Sequence, residues 1–292
     1  MKRVLKIFIL GFLSTCFLVT AVSCGPIFES RIDKIGINSI VLNKEMKVEI
    51  YVPKGYTDKE EFPVLYLLHG YTGNESDMRK SGFFVMADIL TKQDLIKPII
   101  IVCPQIDNSY GFNSSNEAYI FGSDPERNMN VGKYEDYITE ELVNYIDSTY
   151  NTIDDREGRF IGGVSMGGHT SLRLGFVHSD LYSKVGGHMP ALWTDNFKDE
   201  GFENWLYPNE NARAERDPLY IAENKNLTSL SMYLDCGEDD SYGFYDGCKI
   251  LNETLLKQGC DVQWYLNEGG HTHEYIEENA RKYLQFYAGT DD

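Results

Sequence analysis

The chain has 292 residues, 42% hydrophobic and 25% charged, enough for one large α/β domain or two small ones. Its formal charge of −18 argues against nucleic acid and anionic membrane surfaces as partners, because both are held by clusters of Lys and Arg. A neutral or weakly polar small molecule suits this charge better than a polyanion.

Residues 1–24 stand apart from the rest. Lys2, Arg3 and Lys6 precede an apolar run over 7–22 that holds no acidic residue, the layout of a secretory signal peptide. The run ends at Ala21-Val22-Ser23-Cys24-Gly25, where a small residue before a cysteine resembles the lipobox of bacterial lipoproteins. On that reading Cys24 is lipidated, becomes the new N-terminus and attaches the protein to a membrane; the alternative is a plain cleaved signal. An uncleaved anchor fits least, since a spanning helix needs about 20 apolar residues. Export to the cell envelope or beyond follows from the first two readings. Residues 25–292 carry no repeat, low-complexity segment or linker, and are expected to form one domain.

Setting Cys16 and Cys24 aside with the signal leaves four cysteines. Cys103 and Cys236 end apolar runs and are read as buried thiols. Cys248 and Cys260 lie in a helical stretch and the turn after it, and could pair in an oxidising compartment. No C-x-x-C spacing occurs, so neither zinc nor thioredoxin-type chemistry has support.

Along the chain, residues 39–52 alternate polar and apolar (Val48, Ile50, Val52), as a half-buried antiparallel strand does. Residues 64–68 and 99–102 are continuous apolar runs, the signature of strands covered on both faces. A helix is predicted over 134–150, with Tyr137, Ile138, Leu142, Tyr145 and Ile146 on one face. Phe160-Ile161 reads as a strand, 169–177 as a helix, and 184–187 as a further strand. Residues 193–226 show no clear period and carry Trp193, Phe197, Phe202, Trp205 and Tyr207, an insertion and candidate lid near the top of the sheet. Residues 230–234 and 262–266 read as further covered strands, with helices over 245–257 and 275–287. Strands alternating with helices imply a mostly parallel central sheet with helices on both faces, entered by antiparallel strands.

The sharpest motif is Gly162-Gly163-Val164-Ser165-Met166-Gly167-Gly168, a G-x-S-x-G pattern entered by a strand and left by a helix. A serine on so sharp a turn has a strained backbone, and side chains at the flanking positions would collide with neighbouring chain. Such a serine is a weak nucleophile until a base, itself oriented by an acid, removes its proton. Downstream, one strand runs into Gly237-Glu238-Asp239-Asp240-Ser241 and the next into Glu268-Gly269-Gly270-His271. Both lie after strand C-termini, where sites in open α/β sheets gather, in the chain order Ser, acid, His. Gly269-Gly270 frees the backbone to bring His271 over the sheet, while His273 falls near a helix start and turns away. Leu67-Leu68-His69-Gly70-Tyr71 ends an early strand; its position assigns oxyanion donors to the N–H groups of Tyr71 and Met166, with His69 shaping the loop.

Taken together, residues 67–73, Tyr134-Glu135-Asp136, 163–168, 237–240 and 269–271 resemble the putative esterase family. It includes feruloyl and acetyl-xylan esterase-type enzymes, enterochelin esterases, S-formylglutathione hydrolase and the mycolyltransferases. The resemblance spans about residues 39–287. It implies an α/β-hydrolase fold, no cofactor, and a triad carried onto Ser165, Asp240 and His271, the family's Gly-x-x-Asp selecting Asp240 over Asp239. Where family members commonly show a small Ser-Gly turn, this chain has Gly187-His188-Met189-Pro190. His188 is therefore expected to face the pocket, with Trp193 and Trp205 of the insertion lining it around substrate. His271-Thr272-His273 lacks a third ligand at zinc spacing, and the acidic residues near Asp240 do not follow a calcium loop, so no metal is expected.

These readings predict a serine esterase acting by two-step acyl transfer on short-chain or aromatic esters, some of them carbohydrate-linked. The alternatives are an acyltransferase using the same triad, and a surface lipoprotein that binds carbohydrate without catalysis.

Overall fold

The computed structural model describes residues 30–115, 118–120, 124–194 and 197–290. The signal segment, Cys16 and Cys24 lie outside them. In chain order come β1 (Arg31–Ser39), β2 (Lys44–Val52), β3 (Val64–Leu68), α1 (Asp77–Lys80), α2 (Phe83–Lys92), β4 (Ile100–Pro104) and β5 (Asn113–Ser114). Next are β6 (Gly132–Lys133), α3 (Tyr134–Asp136), a π-helical turn (Tyr137–Glu141), α4 (Leu142–Thr149), β7 (Arg159–Val164), α5 (Met166–Val177) and β8 (Lys184–His188). The chain continues through α6 (Glu200–Leu206), α7 (Glu210–Arg216), α8 (Pro218–Asn224), β9 (Ser231–Gly237), α9 (Phe244–Gln258), β10 (Asp261–Asn267) and α10 (His273–Ala288).

Eight strands form one sheet in the order β1-β2-β4-β3-β7-β8-β9-β10. β1 and β2 pair antiparallel, as do β2 and β4, and the six strands from β4 to β10 are mutually parallel. The alternation along a strand explains why the central runs are apolar throughout. Val64, Tyr66 and Leu68 of β3 enter the core shared with α4, α5 and α9, whereas Leu65 and Leu67 enter the one shared with α2 and α10. Parallel strands send their following loops to one edge, and the loops after β3, β7, β9 and β10 carry Gly70-Tyr71, Ser165, Asp240 and His271 there.

Four readings need correction. β1 was not anticipated; it zips against β2 residue for residue from Arg31↔Val52 to Ser39↔Lys44. Residues 262–266 belong to an edge strand, not a covered one: Tyr265 is 39% and Leu266 51% exposed. The aperiodic insertion folds as α6, α7 and α8, each too short to display a period. Their starts are nevertheless written in the sequence as caps: Asp199 accepts from the Phe202 N–H, Asn209 from that of Ala212 and Asp217 from that of Leu219, with Pro218 opening α8. Finally, Cys103, Cys236, Cys248 and Cys260 are all buried free thiols. The ten residues of helix between Cys248 and Gln258 rise about 15 Å, whereas a disulfide needs Cα atoms within about 7 Å.

Glu135 ties α3 to α5. It accepts from Arg173 Nη2 and bonds His178 Nε2, both at 2.7 Å. Burial alone would push its carboxyl up; the bond to His178 and the charge of Arg173 override this and hold it at about 2. An acid with a depressed value stabilises the fold above its ordinary value of 4.5 and loses that contribution as pH falls towards 2. Glu135→Gln is therefore expected to lower the urea unfolding free energy by about 3 kcal/mol at neutral pH. The gap to wild type should close as pH falls through that window; a constant gap would contradict the assignment.

Candidate active site

β7 is buried along its whole length and turns at Ser165 into α5. Ser165 has φ 56° and ψ −116°, a left-handed conformation that costs a non-glycine residue about 1–3 kcal/mol. Its neighbours hold it there. The Ser165 N–H donates to the His188 carbonyl at 3.0 Å, and its own carbonyl accepts from the Ala191 and His169 N–H groups at 2.9 Å. A Cβ added at Gly163 would stand 2.3 Å from the Gly167 oxygen, and one at Gly167 would stand 2.4 Å from the Leu68 oxygen. The two glycines thus let three backbone segments meet. The β3 loop leans on the serine itself, since a Cβ at Gly70 would lie 3.4 Å from the Ser165 Cβ. Met166 begins α5, where N–H groups lack partners within the helix and the helix dipole favours negative charge.

Asp240 and His271 come from the loops after β9 and β10. His271 Nδ1 donates to Asp240 Oδ2 at 2.9 Å, Cys236 Sγ donates to the same oxygen at 3.3 Å, and the Tyr242 N–H donates to Oδ1 at 2.8 Å. Burial raises the Asp240 carboxyl, but the hydrogen bond and charge of His271, with the Tyr242 N–H and the Cys236 thiol, bring it below its ordinary value. Asp240 is accordingly ionised at neutral pH. The two loops are joined backbone to backbone: the Asp239 N–H donates to the Gly269 carbonyl at 3.0 Å, and a Cβ at Gly237 would lie 2.2 Å from that same oxygen. Asp239 itself points outward and is exposed. Tyr242 and Phe244 pack edge-on against the imidazole, with centroids at 5.0 and 5.5 Å.

Ser165, His271, Gly70 and Tyr71 share the wall of one cavity of about 920 Å³. Tyr71, Tyr110, Trp193, Phe202, Tyr242 and Phe244 supply its aromatic surface. Of the seven non-glycine residues with positive φ among the described residues, Thr72, Tyr110, Ser165 and Met189 all line it. Backbone strain concentrated at one cavity is a mark of function.

Two expected lining residues are elsewhere. His188 does not reach the cavity, because alternation along β8 turns Gly187 towards α5 and His188 to the opposite face. Its fully buried ring stacks on Tyr283 at 3.7 Å, with Nε2 3.2 Å from the Tyr287 hydroxyl. Only its carbonyl touches the elbow. Trp205 sits behind the wall, with ring centroids 5.3 Å from Phe112 and 6.3 Å from Phe202 and Tyr110, and supports the lining residues Tyr110 and Phe202 from outside. His69 is buried, donating from Nδ1 to the Gly70 carbonyl at 2.8 Å and accepting the Ile106 N–H at Nε2 at 3.1 Å. Burial also pushes its pKa down, so a neutral ring pins the loop. Tyr110, Met189, Tyr242 and Phe244 were missed. Tyr110, Met189 and Tyr242 lie on the loops following β4, β8 and β9 and Phe244 opens α9 just beyond, so position past a strand end, not residue type, was their signal. Among the described residues, no group of three His, Cys, Asp or Glu side chains converges as a metal site.

The family model described as Putative esterase matches residues 39–286. The chain is similar to an S-formylglutathione hydrolase of Arabidopsis thaliana, 27% identical over 250 residues that cover 78% of this chain and 85% of the relative. It is also similar to an acetyl esterase of Caldicellulosiruptor saccharolyticus, 22% identical over 75% of this chain and 80% of the relative. Among solved structures, a ferulic acid esterase superposes with a TM-score of 0.73 at 24% identity, covering 89% of this chain and 98% of that one. Another, from Anaeromyces mucronatus in complex with ferulic acid, gives 0.69 at 24% identity over 88% and 91% of the two chains. These superpositions establish the α/β-hydrolase fold.

The close approach at the elbow is directly testable. Gly167→Ala would drive a methyl group against the Leu68 and His69 carbonyl oxygens, at 2.4 and 2.5 Å. It is expected to cost about 2–3 kcal/mol in urea unfolding. A variant as stable as wild type would mean that the turn is not packed as described.

Proposed function

The chain belongs to the Putative esterase family and is a carboxylic ester hydrolase, and we propose that it works through Ser165, His271 and Asp240 on short-chain or aromatic esters, carbohydrate-linked ones among them. The observation that carries this reading is the 2.9 Å Asp240–His271 pair, whose imidazole lines the same cavity as the strained Ser165.

With Nδ1–H committed to an ionised Asp240, the imidazole presents Nε2 as the base. Nε2 takes the Ser165 proton as Oγ attacks the ester carbonyl carbon. The resulting oxyanion is met by the N–H groups of Tyr71 and Met166. Collapse of this intermediate breaks the ester bond, and the imidazolium gives its proton to the departing alcohol oxygen. An acyl group remains on Ser165. Water, deprotonated by the same Nε2, attacks the acyl carbon through a second oxyanion; Ser165 leaves with the proton and the acid is released. The aromatic wall around Trp193 and Tyr110 suits a flat acyl group, and the names of the acetyl and ferulic acid esterases to which the chain is similar point to the same substrate class.

On a panel of p-nitrophenyl and methyl esters, Ser165→Ala, His271→Ala and Asp240→Ala should each lose at least about a thousandfold in kcat/KM, and Asp239→Ala less than about tenfold. Acetyl, butyryl and hydroxycinnamoyl esters should be preferred over chains of twelve carbons or more. If Asp239→Ala is the dead variant, the triad is misassigned by one residue; a long-chain preference would refute the proposed acyl class.

We propose further that the protein is exported and carries a lipid on Cys24, from the basic start and apolar run before Ser23-Cys24-Gly25. In the native host, Cys24→Ala should leave the chain unprocessed or release it from the membrane fraction. Unchanged processing and fractionation would rule the lipid out.

A further inference from the structure

A second cavity, of about 540 Å³, shares no lining residue with the one that holds Ser165. Its walls come from α3, α5, α7 and α8, with Phe112 and Asn113, and its volume is one that small organic ligands fill. Three cations line it: Arg173, Arg216 and Lys225. Asp and Glu outnumber Lys and Arg in this chain by 45 to 27, so such a convergence runs against the general charge. Two carboxylates share the lining. Glu135 is already spent, accepting from Arg173 Nη2 and bonding His178 Nε2, both at 2.7 Å. Glu215 is exposed and offers its carbonyl to Arg173 Nε at 2.8 Å. Arg216 and Lys225 have neutral partners instead. Arg216 Nη1 donates to the Trp205 and Leu206 carbonyls at 3.2 and 3.0 Å, and its guanidinium stands 4.2 Å from the centre of the Phe112 ring. Lys225 Nζ donates to the Val177 carbonyl at 2.8 Å. Both side chains are half-buried, and among the described residues neither forms an ion pair. Burial, and then the charge of Arg173, push the pKa of Arg216 below its ordinary value. Arg173 is itself only 6% exposed, and its Nη1 is buried with no hydrogen-bond partner among the described residues. The cavity thus concentrates positive charge that the fold does not neutralise.

We propose that this second cavity binds a small organic carboxylate, with the anionic group held by Arg216 and Lys225 and the apolar body lying along Phe112, Val177 and Ile221. The site is separate from Ser165 and does not depend on how that serine acts. A guanidinium is a planar fork of donors that fits a carboxylate through two parallel bonds, and the ammonium of Lys225 adds a second point of charge. Arg173 is committed to Glu135, yet its charge is close enough to depress Arg216, so an anion beside Arg216 relieves that repulsion. The remaining surface decides what kind of anion fits. Phe112, Val177 and Ile221 present ring and aliphatic carbon to the cavity, which an inorganic anion leaves uncovered. A neutral molecule of the same shape covers that carbon but leaves both cations without a partner. Only a ligand with both features matches both parts of the lining.

Titration calorimetry of the intact protein with phenylacetate tests this, with 2-phenylethanol as the neutral counterpart and inorganic phosphate as the bare anion. Phenylacetate should bind saturably, and each comparison probe at least about tenfold more weakly. Two variants locate the site. Arg216→Gln removes the fork, and Ala214→Glu sets a carboxylate on the same wall; each should weaken phenylacetate at least about tenfold. Arg216 also holds the end of α6, so its loss can unsettle the fold, whereas Ala214 is a half-buried helical position where Glu is well tolerated. Urea unfolding of both variants identifies those that are folded, and Ala214→Glu alone suffices for the test. Trp193→Ala changes only the cavity of Ser165 and should leave the affinity within about twofold. The proposal is overturned if phenylacetate does not saturate, if phosphate or the alcohol binds as tightly, or if folded Ala214→Glu binds like wild type. Binding lost in Trp193→Ala but kept in Ala214→Glu would place the ligand beside Ser165 and overturn it as well.

Discussion

The site depends on a contact between backbones. For Ser165 to stand above the sheet, β7 must reverse into α5 within one residue, and the end of β3 must pass close beside that reversal. Gly163 and Gly167 leave no room for a single carbon at either position, with 2.3 and 2.4 Å to the nearest oxygens. The strain at Ser165 is sustained because three hydrogen bonds, one donated to His188 and two accepted from Ala191 and His169, fix its backbone from both sides. Gly70 and Tyr71 are brought to the serine by the same packing, so the turn that exposes the hydroxyl also sets the β3 loop where negative charge would develop.

The Asp240–His271 pair is assembled by a second contact of the same kind. The loops after β9 and β10 lie side by side because their strands are parallel neighbours, with Gly237 opposite Asn267. Their backbones then bond through Asp239, Glu238, Asn267 and Gly269, which turns Asp240 inward and Asp239 out. A buried carboxylate is costly unless its oxygens are occupied. Here Oδ1 and Oδ2 accept from Tyr242, His271 and Cys236, so desolvation is outweighed and the acid remains charged beside the imidazole.

Much of this was legible in the sequence where a rule of geometry acts locally. G-x-S-x-G between a strand and a helix states a steric requirement, and strand ends followed by acidic and Gly-Gly-His loops state a location. What failed was information about faces and edges. His188 was expected in the pocket because Gly187-His188-Met189-Pro190 stands where family members show a small Ser-Gly turn; a period of two sends it to α10 instead, and the phase of that alternation is set by packing with Tyr283 and Tyr287. The 262–266 run is apolar enough for a central strand, yet β10 ends the sheet, because strand order follows from crossover connections and not from composition. Trp193 and Trp205 look alike in sequence, and only the fold of α6 separates a lining residue from a supporting one. The insertion lacked a period, but Asp199, Asn209 and Asp217-Pro218 announced its three helices as caps.

The central claim is that the fold activates Ser165 as a nucleophile, and active-site phosphonylation tests it most directly. A fluorophosphonate reacts with a serine only where a base and an oxyanion site assist attack on phosphorus. The folded protein should take up one adduct per chain, located by mass on the peptide containing Ser165, and lose this reactivity in urea. An adduct at another residue, or equal labelling of folded and unfolded protein, would contradict the account.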